Sequence, residues 1–579
     1  MRRVSPIAGH GPAKFVSFGL ALTLAACQRG DTAHHGDDGA ETSMGPAGSD
    51  GAPTGDDGTT GGAEGGDETG DPVEICSTMQ FENVIDEAAC PQIQGIGVEP
   101  PLADGVELCR RLYIDLLGES PTAVEYEQNC KYPTTAALVD DFMARPEYLR
   151  TSGRLWADLF QMNSAVTHYA YIAELDAKAA ELHAGTITLG QFAELAATHP
   201  GFLGRWDGND LVAFAFRAFL GREATPAERL ALEPMWHIWE ERPVADPNQS
   251  NAKNVFVDTR NCAAPNESAC HSDFWGDQTI SIPEPMPGDV SDPGPNVIDQ
   301  AALTPAQRAT LAKPGQLIAQ QAAFYESYVD RALMRYLGYD AGTALPLVRQ
   351  ALVDLLDENG GNVRVVDREI LTSLLYTATN RYEEADSPDD ENWDPPYLHG
   401  PVKQMDAEDW LRSAYKLAGA PTAGCDHRYP EVQSGPAGFH PHTYPTMPSG
   451  APDYTLRDKA QLLGGCPDRV AQFRESRTGL IAALTQATLT AELCEMASNT
   501  APIYPLAVVD DPNDKSEEAL WEAVDQVYSA ALIRPVMDGA SEGVDEGISL
   551  CRDDLACTPT EFAVQACRLV LKSADFIYY

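Results

Sequence analysis

Along residues 106–117 (VELCRRLYIDLL) apolar side chains return every three to four positions, with Leu108, Leu112 and Leu116 in line, and this period predicts an amphipathic helix. Gly118 follows as a stop, because a helix often ends on a left-handed residue and glycine takes that conformation without strain. Ser120-Pro121 then predicts a restart, with a capping hydroxyl and proline at the first helical position. The device returns at 214–220, where Gly221 ends the helix and Thr225-Pro226-Ala227-Glu228 reads as a capping box. A looser third copy runs through 332–338 (ALMRYLG). Leu-Gly ends many helices, and that accounts for the three copies. A true internal repeat is the alternative, and the spacing is too uneven for a solenoid.

Helical patterning resumes at 405–418 and again beyond 454, where Asp514-Lys515-Ser516-Glu517 predicts a capping box and 558–573 a last helix. Two long Pro-rich loops interrupt the pattern, at 243–295 and 385–454. The expectation is an all-α fold: two helical domains joined by long disulfide-braced loops. The N-terminal domain is expected at 73–242 and a cysteine-containing loop region at 243–302. The C-terminal domain, with a long His-containing loop, is expected at 303–579.

The first 72 residues follow different rules. Arg2, Arg3 and Lys14 precede an apolar run at 15–26 that is too short to span a bilayer and has the length of a signal peptide. The run ends Leu24-Ala25-Ala26-Cys27, which resembles the bacterial lipobox. That resemblance implies lipidation of Cys27, cleavage before it and membrane attachment through the acyl chains. Gln28 after the cysteine favours the outer membrane, with the body in the periplasm or on the cell surface. Residues 28–72 hold eleven acids against one base, Arg29, and no apolar period, so this stretch is expected to be a disordered tether.

Charge and cysteine content narrow the class further. The chain carries 40 Lys and Arg against 87 Asp and Glu, a net charge of −47, which excludes nucleic acid as a natural partner. Thirteen cysteines less Cys27 leave an even number, as an oxidising compartment favours. Short spacings suggest the local pairs Cys76/Cys90, Cys109/Cys130, Cys262/Cys270 and Cys551/Cys557, with Cys425/Cys466 and Cys494/Cys567 remaining, although spacing does not fix connectivity. The absence of any C-x-x-C argues against zinc ribbons and thioredoxin-like sites.

Several phrases resemble a known family. Arg110-Arg111-Leu112-Tyr113-Ile114-Asp115-Leu116, Gly118, Pro121-Thr122 and Glu125 look like the start of a helical domain of unknown function. That domain is common in planctomycete and myxobacterial envelope proteins, often beside a c-type cytochrome segment. The likeness continues through Met143 to Tyr148 and Arg154 to Asp158. A second uncharacterised domain usually follows. Its signature resembles Lys403-Gln404-Met405-Asp406-Ala407-Glu408-Asp409-Trp410-Leu411-Arg412, with Gln404 where a basic residue is common, and its closing phrase resembles Cys567 to Tyr578. The resemblance implies an envelope setting and no particular reaction.

The remaining candidates are weighed by what each chemistry needs. Cys262, Cys270 and His271 hold two thiols and a following histidine, the parts of a c-type haem site, but a haem attachment normally separates the thiols by two residues, not seven. A disulfide-closed loop is the favoured reading. His440 and His442, with His399 and His427 nearby in sequence, are candidate ligands for a divalent metal, but alternate residues of an extended H-x-H point apart. Ser541 sits in a G-x-S-x-G match with no histidine after His442 to complete a hydrolase order, so it reads as chance. Asp511 to Glu522 resembles an EF-hand loop, but Lys515 and Ser516 replace a ligand and the turn glycine. The acid-rich stretch 386–394 reads as solvated loop with Ca²⁺ as the alternative. No catalytic residue is assigned and no cofactor is predicted. The reading is a non-catalytic binding or scaffold lipoprotein with a protein or glycan partner. The alternative is a redox or metal-dependent envelope protein, with haem or metal at one of the two candidate sites. A third reading is polysaccharide hydrolysis by paired carboxylates.

Overall fold

The computed structural model describes residues 79–96, 100–160, 169–197, 211–236, 239–245, 252–258, 280–282, 305–380, 399–419, 462–465, 480–497, 514–536 and 538–579, together with 76, 199, 202, 397 and 502–503. The signal, Cys27 and the tether lie outside these residues.

Helices of eight residues or more are numbered in chain order. A first core is built by α1 (Val84–Ile96), α2 (Gly105–Leu112), α3 (Thr135–Met143), α4 (Pro146–Leu159), α5 (Tyr169–His183), α6 (Leu189–Ala196), α7 (Leu211–Leu220) and α8 (Pro226–Trp236). It continues with α9 (Pro305–Ala319), α10 (Ala323–Leu337), α11 (Pro346–Glu358) and α12 (Val363–Thr372). A second core holds α13 (Ala407–Leu417), α14 (Leu480–Met496), α15 (Glu517–Leu532), α16 (Asp538–Leu550) and α17 (Pro559–Val570). The fold is mostly helical, as the periodicity predicts. Among the described residues no helix is long and apolar enough to cross a membrane.

The division between cores differs from the expected boundary at 303. Helices α9 to α12 bury their apolar faces against the N-terminal helices: α9 packs on α6, α10 on α7 and α11 on α1. Helix α7 (LVAFAFRAFL) explains why. All its residues but Arg217 are buried, so it needs partners on every side, and the preceding helices cover only part of it. Trp156 and Phe192, with ring centroids 4.7 Å apart, and Phe160 and Phe202, 5.2 Å apart, fill the space beneath it.

The expected loop region at 243–302 is corrected in part. A three-stranded antiparallel sheet is present, with β1 (Trp239–Ala245), β2 (Ala252–Asp258) and β3 (Ile280–Ile282) in that order and Trp239 opposite Asp258. Pro243 hid the first strand from sequence reading. It lies in β1, an edge strand, where a missing N–H can be tolerated.

Local signals explain most helix ends. Gly118, Gly221 and Gly338 all adopt positive φ at the ends of the three Leu-Gly phrases. At Gly118 an added Cβ would also lie 2.9 Å from the Arg412 guanidinium of the second core. Thr225 and Glu228 form the expected capping box. Two starts are displaced. The cap after Gly118 is Thr122, boxed with Glu125, while the Ser120 hydroxyl accepts from Arg110 Nε at 3.4 Å and its N–H is donated to the Ser413 hydroxyl at 2.8 Å. Ser516, not Asp514, caps α15, while the Asp514 carboxylate accepts from the Ser516 N–H just before it. Disulfides join Cys76 to Cys90, Cys109 to Cys130 and Cys551 to Cys557, three of the pairs suggested by short spacing, and Cys494 to Cys567, one of the two pairs that remained.

Candidate functional site

Two polar features stand out: a buried ionic seam where the cores meet, and an open cleft on the first core. The seam begins where α2 widens into π-helical geometry over Tyr113–Leu117. Ile114 packs in the second core while Tyr113, Leu116 and Leu117 pack in the first. Between them Asp115 is buried. It accepts from Tyr376 at 2.7 Å and from Tyr579 at 2.9 Å, and the Lys403 ammonium contacts both its oxygens. Burial pushes the Lys403 pKa down to about 8, with Asp115 working against that.

The arginines before Asp115 are used the same way. Arg110 donates to the carbonyls of Phe576 at 2.6 Å and Asp575 at 2.5 Å, tying α2 to the residues after α17. Arg111, 0% exposed, donates to Glu107 at 2.7 Å and to the Ala378 carbonyl at 2.9 Å. From α4, Arg154 reaches across to Asp409 and Asp406, each at 2.8 Å. Trp410 donates its indole N–H to the Leu571 carbonyl at 3.0 Å. The backbone joins in, with Lys403 and Tyr579 exchanging N–H to carbonyl bonds at 3.0 Å. Charged residues of the first two family-like phrases therefore meet in one place, and the closing phrase supplies backbone carbonyls to them.

Behind the seam lies a second buried network. Asp367 accepts from Tyr148 and Tyr328 at 2.8 Å and lies 3.3 Å from His183 Nδ1. Trp156 donates its indole N–H to His183 Nε2 at 3.2 Å, so the imidazole carries its proton on Nδ1. Burial holds the His183 pKa below the ordinary histidine value although Asp367 pulls the other way. A histidine–aspartate pair resembles a general base, but both His183 nitrogens are engaged and the two side chains are 0% and 1% exposed. The pair orders the core.

The cleft has a volume of about 530 Å³, within the range usual for small-molecule sites. Leu155 and Leu159 of α4, Leu220 of α7 and Met334 of α10 supply its apolar walls. Ser327, Arg331 and Arg335 line it from successive turns of α10. Arg349 of α11 bridges the two acids present, bonding Asp330 at 2.6 Å and Glu326 at 3.1 Å. Arg331 donates Nη2 to the Arg217 carbonyl at 2.7 Å, and its Nη1 has no partner among the described residues. The Ser327 hydroxyl is also without a partner there, on a residue 6% exposed.

Of the residues singled out from sequence, Cys27, Cys262, Cys270, His271, Cys425, His427, His440, His442 and Cys466 lie outside the described residues. His399 is half-buried, and burial lowers its pKa. Ser541 lies inside α16, not on a strand-to-helix turn. Among the described residues no group of three or more His, Cys, Asp or Glu is arranged to hold a metal ion. The seam residues were passed over because the helix at 106–117 was read only for its leucines. Glu107, Arg111 and Asp115 stand four residues apart with Arg110 beside them, one charged face on an amphipathic helix, and such a face ordinarily reads as solvated.

Fold and site together define a disulfide-braced helical protein whose two cores are closed by a buried ionic seam. Residues 85–179, the stretch carrying Arg110, Arg111, Asp115 and Arg154, match the PSCyt2 family, described as a protein of unknown function (DUF1549). No curated protein matches the chain, and no solved structure does.

Proposed function

We propose that this chain is a cell-envelope lipoprotein, anchored through Cys27 to the outer membrane, whose body works by binding and scaffolding. The supporting observation is the closure of the seam. Arg110, Arg154, Asp115, Lys403 and Asp409 are spent on one another and on backbone carbonyls, which suits a rigid body carried on a tether. The acidic tether holds that body off an anionic surface. The partner is a protein or glycan, met through the body's outer surface.

Intact mass of the mature protein, with and without reductant, tests this reading in a host able to mature lipoproteins and cytochromes. The expected species begins at a diacylated Cys27 and lacks two hydrogens per disulfide. A mass adduct of haem on the peptide holding Cys262 and Cys270 would replace it with the electron-transfer reading. An unmodified Cys27 would remove the anchor.

A further inference from the structure

The cleft bears a charge pattern at odds with the rest of the chain. Against a net charge of −47, its lining holds three arginines, Arg331, Arg335 and Arg349, and only two carboxylates, Glu326 and Asp330. Arg349 satisfies both carboxylates itself. Arg335 faces inward to the buried carboxylates Asp367 and Asp115, whereas the hydrogen bond of Arg331 goes to the Arg217 carbonyl at 2.7 Å, with Asp330 near it but bonded to Arg349. A guanidinium in a partly desolvated site is stabilised far better by an anion than by one carbonyl. Burial pushes the Arg331 pKa down to about 10, low for an arginine, yet the group is still charged at neutral pH. The Ser327 hydroxyl, one turn before Arg331 on the same face of α10, is a further unspent donor. A buried polar group with no partner costs free energy unless something else meets it.

We infer that the cleft between α4, α7, α10 and α11 binds an amphipathic carboxylate. The head group accepts from the Arg331 Nη1–H and the Ser327 O–H, and Arg335 supports it electrostatically. The apolar body lies along Leu155, Leu159, Leu220 and Met334. One unspent guanidinium nitrogen and one unspent hydroxyl suit a single carboxylate: a dianion would bring a second negative charge towards Glu326 and Asp330. The apolar walls select against a small hydrophilic acid, because such a ligand would leave them in water. This inference rests on the binding reading above in one respect: the ligand is held and not transformed.

The test uses the full chain carrying Cys27→Ser, exported to an oxidising compartment and kept free of detergent, so that no acyl chain competes. Isothermal titration with sodium decanoate, below its micellar range, is expected to give saturable one-site binding. Decanol and decyltrimethylammonium should bind at least about tenfold more weakly, the size of a lost charge-assisted hydrogen bond. Arg331→Gln should weaken decanoate about tenfold or more. Ser327→Ala removes an unpartnered hydroxyl and should weaken binding severalfold with no loss of thermal stability. Met334→Glu, at a residue 49% exposed, leaves the fold intact and should abolish binding by placing a carboxylate beside the head group. The inference is overturned by the absence of saturable binding at millimolar decanoate. It is equally overturned by decanol binding as tightly as decanoate, or by unchanged affinity in both Ser327→Ala and Met334→Glu. Any of these leaves the scaffold reading standing, since that reading is judged by mass.

Discussion

Asp86, at the start of α1, shows how one carboxyl can set a pH response. Its side chain accepts the Leu374 N–H at 2.7 Å. Burial pushes its pKa from 3.8 up to about 6, with the nearby Glu369 adding to the rise and the Leu374 bond opposing it. Between those values the folded chain holds a proton that the unfolded chain has released. The contribution of Asp86 is therefore full below about 3.8 and is lost as pH rises through about 6. Asp86→Asn keeps an acceptor for Leu374 and removes the titration. Its thermal midpoint, measured against that of the unaltered chain, is expected to gain steadily from pH 4 to pH 6.5. A constant difference across that range would show that Asp86 titrates normally. No sequence pattern announced this residue, because an acid in a first helical turn ordinarily reads as a solvated partner of the helix dipole.

At the scale of elements, caps and cysteines were the legible parts. Leu-Gly phrases and Thr225 marked real helix ends because both act within a few residues. One of the two displaced starts involves a distant partner: Ser120 is engaged by Arg110 through its hydroxyl and by Ser413, almost 300 residues away in sequence, through its N–H. The strand β1 was missed for the opposite reason, since Pro243 is a local signal that edge position overrides. Among the disulfides, Cys494 to Cys567 links α14 to α17 across 73 residues and sits in the second core. Replacing both cysteines by alanine is expected to lower the free energy of unfolding by about 2–5 kcal/mol. Urea denaturation with second-core tryptophans as probes would measure it, and a loss below about 1 kcal/mol would show that packing alone holds these helices together.

For the whole molecule the question is what makes two cores one body. The apolar faces of α9 to α12 join the first core, as does Tyr397, so apart from Ile114 the second core is built from residues after 397. The seam then ties them, and its ion pairs matter mainly through what breaking them exposes. Desolvation offsets most of the gain from a buried pair, but removing one partner strands the other charge. Lys403→Met leaves the Asp115 carboxylate with only tyrosine donors and is expected to cost about 3–5 kcal/mol. Hydrogen exchange should then quicken together in α4 and α17, one helix from each core. Faster exchange in α17 alone would mean that the cores unfold independently. None of this connectivity was readable beforehand, because a charge pattern does not name its partner. The sequence placed Lys403 and Asp115 in separate phrases 288 residues apart.

The bond between Tyr579 and Asp115 spans 464 residues, and it implies an order of events in the life of the chain. When α2 is first made, neither Lys403 nor Tyr579 has followed, and a desolvated Asp115 would have few donors to meet it. The first core therefore lacks these partners for its buried carboxylate until residue 579 has been added. The seam is completed last, with residues 573–579 acting as the latch.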